Sequence, residues 1–93
     1  MPTYILMASL SPQGLQTLKV TPERLLEVNR ELDSFGVKVI RQWALLGFYD
    51  FMTICEAPDA LTVARATAEI SARGSASFDT LTAIDPEDVL PGL

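Results

Sequence analysis

The 93-residue chain makes one domain (1-93), and at that size folding buries only about two-thirds of the surface that the unfolded chain exposes. With 48% hydrophobic residues it carries more apolar surface than a thin core can hold, so part of that surface is expected to meet another subunit. A net charge of −5 with scattered bases excludes the basic stripe that phosphate binding needs, so no nucleic acid is expected. Having no histidine and only Cys55, the chain excludes an internal disulfide, a Ser-His-Asp triad, a Cys-His dyad, histidine-ligated haem and the usual zinc sites.

The N-terminus has neither the basic flank nor the long apolar run of a signal peptide. No segment approaches the roughly 20 apolar residues of a membrane span. The expectation is a cytoplasmic chain with no membrane partner. Thr3 to Leu10 opens as a strand, with Tyr4, Leu6, Ala8 and Leu10 on one face and Ile5, Met7 and Ser9 on the other. Both faces are largely apolar, which predicts a strand covered on both sides.

Ser11-Pro12 stops this strand, and Pro12 with Gly14 predicts a short, irregular helical turn through Lys19. Thr21, Pro22 and Glu23 have the composition of a helix start, with Thr21 as the capping hydroxyl. Leu25, Val28, Leu32 and Phe35 then recur as the apolar stripe of an amphipathic helix, which Gly36 ends. Val37 to Leu46 predicts a second strand, Gly47 to Asp50 a turn, and Phe51 to Ala57 an antiparallel return. Pro58-Asp59 closes it, with Asp59 as an N-cap.

Ala60 to Arg73 predicts a helix with Ala60, Val63, Ala64, Thr67, Ala68 and Ser71 toward the sheet, a Glu69–Arg73 pair outside, and Gly74 as its stop. Ser75 to Ile84 predicts the last strand, and Asp85-Pro86-Glu87-Asp88 a short helix start. The order is β-α-β-β-α-β, an α+β, ferredoxin-like fold: a four-stranded antiparallel sheet with two helices on one face. Strands of about six residues about 4.8 Å apart leave the other face with an area of roughly 400 Å², as large an apolar patch as a monomer tolerates. If Ile5, Met7, Ile40, Met52 and Ile54 lie there, a homodimer stacked sheet on sheet covers them.

Gly47-Phe48-Tyr49-Asp50 is the feature on which a site could be built. Together with Met1-Pro2-Thr3-Tyr4, Pro12-x-Gly14, Pro22-Glu23-Arg24-Leu25, Ala57-Pro58-Asp59 and Thr80-Leu81-x-Ala83, it resembles the GYD domain family over nearly the whole chain. The resemblance implies a ferredoxin-like fold and oligomerisation of the dimeric α/β-barrel kind, without implying an activity. Leu45 departs from the pattern, where many members carry threonine. The turn is also similar to one in the ligand-binding domains of the Lrp/AsnC regulators, which implies an effector pocket between subunits.

Candidate ligand-binding residues are therefore Gly47, Tyr49, Asp50, Trp43 and Arg41. Gly47 and Asp50 suit a purely structural turn better than direct ligand contact, with the glycine permitting a positive φ and the carboxylate accepting backbone N–H bonds. Tyr49 can pack its ring while its hydroxyl seeks a partner. Trp43 shares a strand face with Val39, Arg41 and Leu45 and suits packing as well as binding. Arg41, if covered, needs an acid or an anionic ligand. Cys55 reads as a small buried hydrophobe.

Three functions stay open. One is an oligomeric binding module holding a small polar metabolite near the hairpin. Another is a small cofactor-free enzyme, of monooxygenase or isomerase type, drawing on Tyr4, Trp43, Tyr49 and Asp50. The last is a purely structural assembly protein. No cofactor and no metal is expected in any of them.

Overall fold

A computed structural model describes residues 1–92. Strand β1 (Thr3–Leu10) leads into helices α1 (Pro12–Val20) and α2 (Arg24–Ser34), then strands β2 (Lys38–Ala44) and β3 (Phe51–Glu56). Helix α3 (Ala60–Ser71), strand β4 (Ala76–Ala83) and a four-residue helix α4 (Pro86–Val89) follow, with a last 3-10 turn at Leu90–Gly92. The strands form one antiparallel sheet in the order β2-β3-β1-β4, as the ferredoxin-like reading requires. The β2–β3 hairpin therefore lies at one edge of the sheet.

Period-two alternation in β1 sets the two faces. Tyr4, Leu6 and Ala8 are buried toward the helices, while Ile5, Met7 and Ser9 stay half-buried on the open side. Leu6, Val37, Cys55 and Val63 are fully buried and form the core with Tyr4, Leu32, Ala57, Ala66 and Ile70. The Cys55 thiol donates to the Tyr4 carbonyl at 3.6 Å, and burial pushes its pKa up to about 11, so it behaves as the apolar side chain the sequence suggests.

Four local expectations are corrected. The segment after Pro12 is a full nine-residue helix, because the Ser11 hydroxyl caps it by accepting from Gly14 N at 3.0 Å. Gly14 is required there, since a Cβ would stand 2.2 Å from the Ser75 carbonyl oxygen. Thr21 caps nothing with its side chain; its N–H closes α1 on Thr17 O, and α2 starts at Arg24 behind Glu23 without a side-chain cap. Helix α3 buries Val63, Ala66, Thr67 and Ile70, a stripe rotated from the expected one because Ile70 offers more apolar surface than the neighbouring alanines. Arg73 pairs bidentately with Glu31 of α2 rather than with Glu69, which joins two helices across the surface.

The hairpin differs as well. Its connection runs from Leu45 to Asp50, closed by Leu45 N donating to Asp50 O at 2.8 Å, and is longer than the four residues expected. A β-bulge between Val39 and Arg41 shifts the register. As a result Val39 sits opposite buried Cys55, whereas Arg41 and Trp43 sit opposite Ile54 and Met52 on the open side. Val39 does not share their face.

Candidate functional site

The pairing register lays the open face out in rows. Arg41, Ile54, Ile5 and Leu81 form one row across β2, β3, β1 and β4, and Trp43, Met52, Met7 and Asp79 form the next. The middle of the face is thus aliphatic and thioether, with Arg41 on one edge strand and Asp79 on the other. The Arg41 guanidinium stacks over the Trp43 ring at 4.7 Å from its centroid, and the indole remains 39% exposed. Leu81, Trp43 and the bulged Ile40 are all exposed hydrophobics.

The hairpin loop is pinned to the body at two points. Asp50 continues the β3–β1 ladder beyond its last residue pair: its N–H donates to Ala8 O at 2.8 Å, and its Oδ2 accepts from Leu10 N at 2.7 Å. The carboxylate thus stands where the next β3 carbonyl would have been. Tyr49 turns toward the far strand, where its hydroxyl donates to Asp79 Oδ2 of β4. That bond, more than any burial, raises the Tyr49 pKa above its ordinary value, because ionising the phenol would bring a second negative charge against Asp79.

Between these anchors the tip is bare. Phe48 packs edge-on against Tyr49, with centroids 5.1 Å apart and planes at 79°, yet is 88% exposed. Leu46 is exposed completely. Gly47 lies between them at φ 155°, with no heavy atom within 4 Å of a notional Cβ, so it serves the backbone of the loop rather than a close approach.

On the helix side, a cavity of about 90 Å³ lies between the sheet and helices α1 and α2. Leu6, Ala8, Leu25, Val28, Phe51 and Phe78 supply its apolar wall, and Asn29, Gln42 and Thr53 a polar one. Asn29 and Gln42 pair amide to amide at 2.9 and 3.2 Å, and Gln42 Nε2 also donates to Thr53 Oγ1 at 2.8 Å. None of Gly47, Tyr49, Asp50, Trp43 and Arg41 lines this cavity, nor does Tyr4, whose side chain is in the core.

The structure therefore places Arg41 and Trp43 together on the open face, and Tyr49 and Asp50 as the two anchors of the loop. Asp79 went unnoticed in the sequence, as did the Asn29–Gln42–Thr53 group. A signal was available for the latter, since Gln42 interrupts an apolar strand run. Asp79 gave none, being one acid in a polar strand. Among the described residues no group of three or more His, Cys, Asp or Glu side chains could hold a metal ion, and no helix is long and apolar enough to cross a membrane.

Comparison with known proteins bears on the whole chain. A family model described as GYD domain matches residues 4–90. A Thermus thermophilus protein named glutamine synthetase and cystathionine beta-lyase binding protein is 48% identical over 94 residues, covering 100% of this chain and 99% of that one. The crystal structure of TTHA0845, also from Thermus thermophilus, superposes with a TM-score of 0.59 at 14% identity, over 91% of this chain and 95% of the other, a likeness of fold.

Proposed function

The chain belongs to the GYD domain family, and from that premise we propose that it is a homodimeric protein-binding module, working in the cytoplasm, whose partners are metabolic enzymes of the glutamine synthetase and cystathionine β-lyase kind. Two subunits stack through their open sheet faces, and the hairpin tips project from the assembly to engage the enzyme. The observation that carries the reading is the tip itself. Leu46 and Phe48 are held in solvent by a loop fastened on both sides, through Asp50 to Leu10 and through Tyr49 to Asp79. A fixed, exposed aromatic and aliphatic pair is the kind of anchor that dominates protein interfaces, because little conformational entropy remains to be lost on docking.

The open face supports the dimer. Burying Ile5, Met7, Met52, Ile54 and Leu81 contributes on the order of 1.5 to 3 kcal/mol each before entropy is subtracted. A two-fold axis running along the strands lays β2 of one subunit over β4 of the other, which brings Arg41 toward the partner subunit's Asp79 and gives both charged edges an opposite neighbour. The face alone offers roughly 400 Å² per subunit, about half of a standard interface, so flanking loops must add to it.

Light scattering on the purified chain, alone and mixed with each purified enzyme of its own host, tests the reading. A dimer that co-elutes with one of the enzymes is the expected result. A monomer that leaves both enzymes unaltered would refute it.

A second reading keeps the small polar metabolite beside the hairpin, at the dimer interface. What favours it is Arg41, which among the described residues forms no ion pair and so has a charge to spare for a carboxylate. An amino-acid panel that raises the melting temperature would support this reading, and a panel without effect would remove it.

A further inference from the structure

The cavity under α1 and α2 lies on the opposite side of the sheet from the proposed dimer face, and nothing in the partner-enzyme reading uses it. Protein interiors contain few voids larger than a water molecule. At about 90 Å³ this one has room for about three waters, or for about four non-hydrogen atoms if scaled from a cavity of about 150 Å³ that takes up benzene. Its floor is hydrocarbon from Leu6, Ala8, Phe51 and Phe78, to which a hydrogen-bonded polar corner is added.

That corner is not fully used. Thr53 is 4% exposed, and its hydroxyl accepts from Gln42 Nε2. Asn29 exchanges one N–H and its carbonyl with the Gln42 amide. A hydroxyl carries one donor and an amide NH₂ two, so among the described residues the Thr53 O–H and one Asn29 N–H have no acceptor. The spare Thr53 donor in the recess, with the half-buried Asn29 amide at its edge, suits a ligand with a short aliphatic body and one acceptor oxygen.

Charge at the mouth decides between a neutral and an anionic ligand. Arg24 and Arg73 both line the opening, but Arg24 is paired with Glu27 and Arg73 with Glu31. Each guanidinium is already compensated, and a carboxylate would have to displace a protein acid that is tethered in place. A neutral oxygen meets no such competitor.

We propose that the cavity between the sheet and helices α1 and α2, with Thr53 and Asn29 in its polar corner, is a binding site for a small neutral aliphatic molecule bearing an amide, carbonyl or hydroxyl oxygen. Binding is weak for so few atoms, with saturation in the millimolar range.

The test is an amide-resolved NMR titration of the isotope-labelled protein with acetamide, acetate and xenon. Acetamide is expected to shift Leu6, Ala8, Phe51 and Thr53 along one saturable curve, at least tenfold more tightly than acetate. Thr53→Val, which keeps the shape and removes the hydroxyl, is expected to weaken acetamide about tenfold while leaving xenon unchanged. Xenon binding without acetamide binding would show a dry packing void and overturn the proposal. Acetate binding as tightly as acetamide would overturn the ligand class, and no shift with any probe would overturn the site. Should Thr53→Val fail to fold, the comparison of the three probes on the wild-type protein decides the matter.

Discussion

Replacing Asp50 with alanine removes the one side-chain acceptor that stands in for a missing strand carbonyl at the end of the β3–β1 ladder. The wild-type bond from Leu10 N to Asp50 Oδ2 is 2.7 Å long, part-buried, and strengthened by the carboxylate charge. Hydrogen bonds to charged groups contribute about 1.5 to 3 kcal/mol, and the partial exposure of this one favours the lower half of that range, about 1.5 to 2 kcal/mol. For a domain of this size 1 kcal/mol moves the melting temperature by about 4 to 8 °C, so Asp50→Ala should melt about 6 to 16 °C lower. Asp50→Asn, which retains an acceptor without the charge, should lose about half as much. Urea unfolding at fixed protein concentration is the assay, because the apparent stability of any chain that self-associates depends on concentration. A change below about 0.5 kcal/mol, together with loss of partner or ligand binding, would show that the carboxylate serves a binding site, and its role in the ladder would be refuted.

Other outcomes follow from single contacts. Gly14→Ala should destabilise by about 1 to 3 kcal/mol in the same urea assay, because its Cβ would meet the Ser75 carbonyl oxygen at 2.2 Å, a backbone atom rather than the far end of a flexible side chain. Absorbance titration at alkaline pH should show Tyr49 ionising late, and Asp79→Asn should bring it back toward its ordinary value. Because the folded-state pKa of Tyr49 is raised, its contribution to stability is complete below the unfolded value of about 10 and is lost as pH rises through the folded one. Cys55 should resist aromatic disulfide reagents at pH 8 until the protein unfolds. Its pKa rises from 9.0 to about 11 on folding, so stability should also fall as pH climbs through that window.

Much of the fold is legible in the sequence because its signals are local. The alternation of Thr3 to Leu10, the Asp59 cap, which accepts from Thr62 N at 2.8 Å, and the glycines that close α2 and α3 at positive φ all act within a few residues. What escapes is set at a distance. The bulge that parts Val39 from Arg41 has no signature in an alternating apolar run, yet it decides which side chains reach the open face. Asp50 was legible as an acceptor, but its donor is 40 residues away in β1, and Tyr49 finds its partner 30 residues away in β4. The alanine-rich α3 offers two nearly equivalent stripes, and only packing against the sheet selects the one with Ile70. Leu46 reads as a strand-end hydrophobic and Phe48 as one residue of a turn until the loop is seen to hold both in water.

The proposed role of the hairpin tip is tested most directly by isothermal titration of purified glutamine synthetase and cystathionine β-lyase with the wild-type chain and with a Leu46→Ser, Phe48→Ser double variant. Both side chains are solvent-exposed, so the variant should fold as the wild type does. Saturable binding of the wild type to glutamine synthetase or cystathionine β-lyase is expected, weakened at least a hundredfold, about 2.7 kcal/mol, by the double substitution. Equal affinity of the two proteins, or no binding by a well-folded wild type, would contradict a tip that docks on the enzyme.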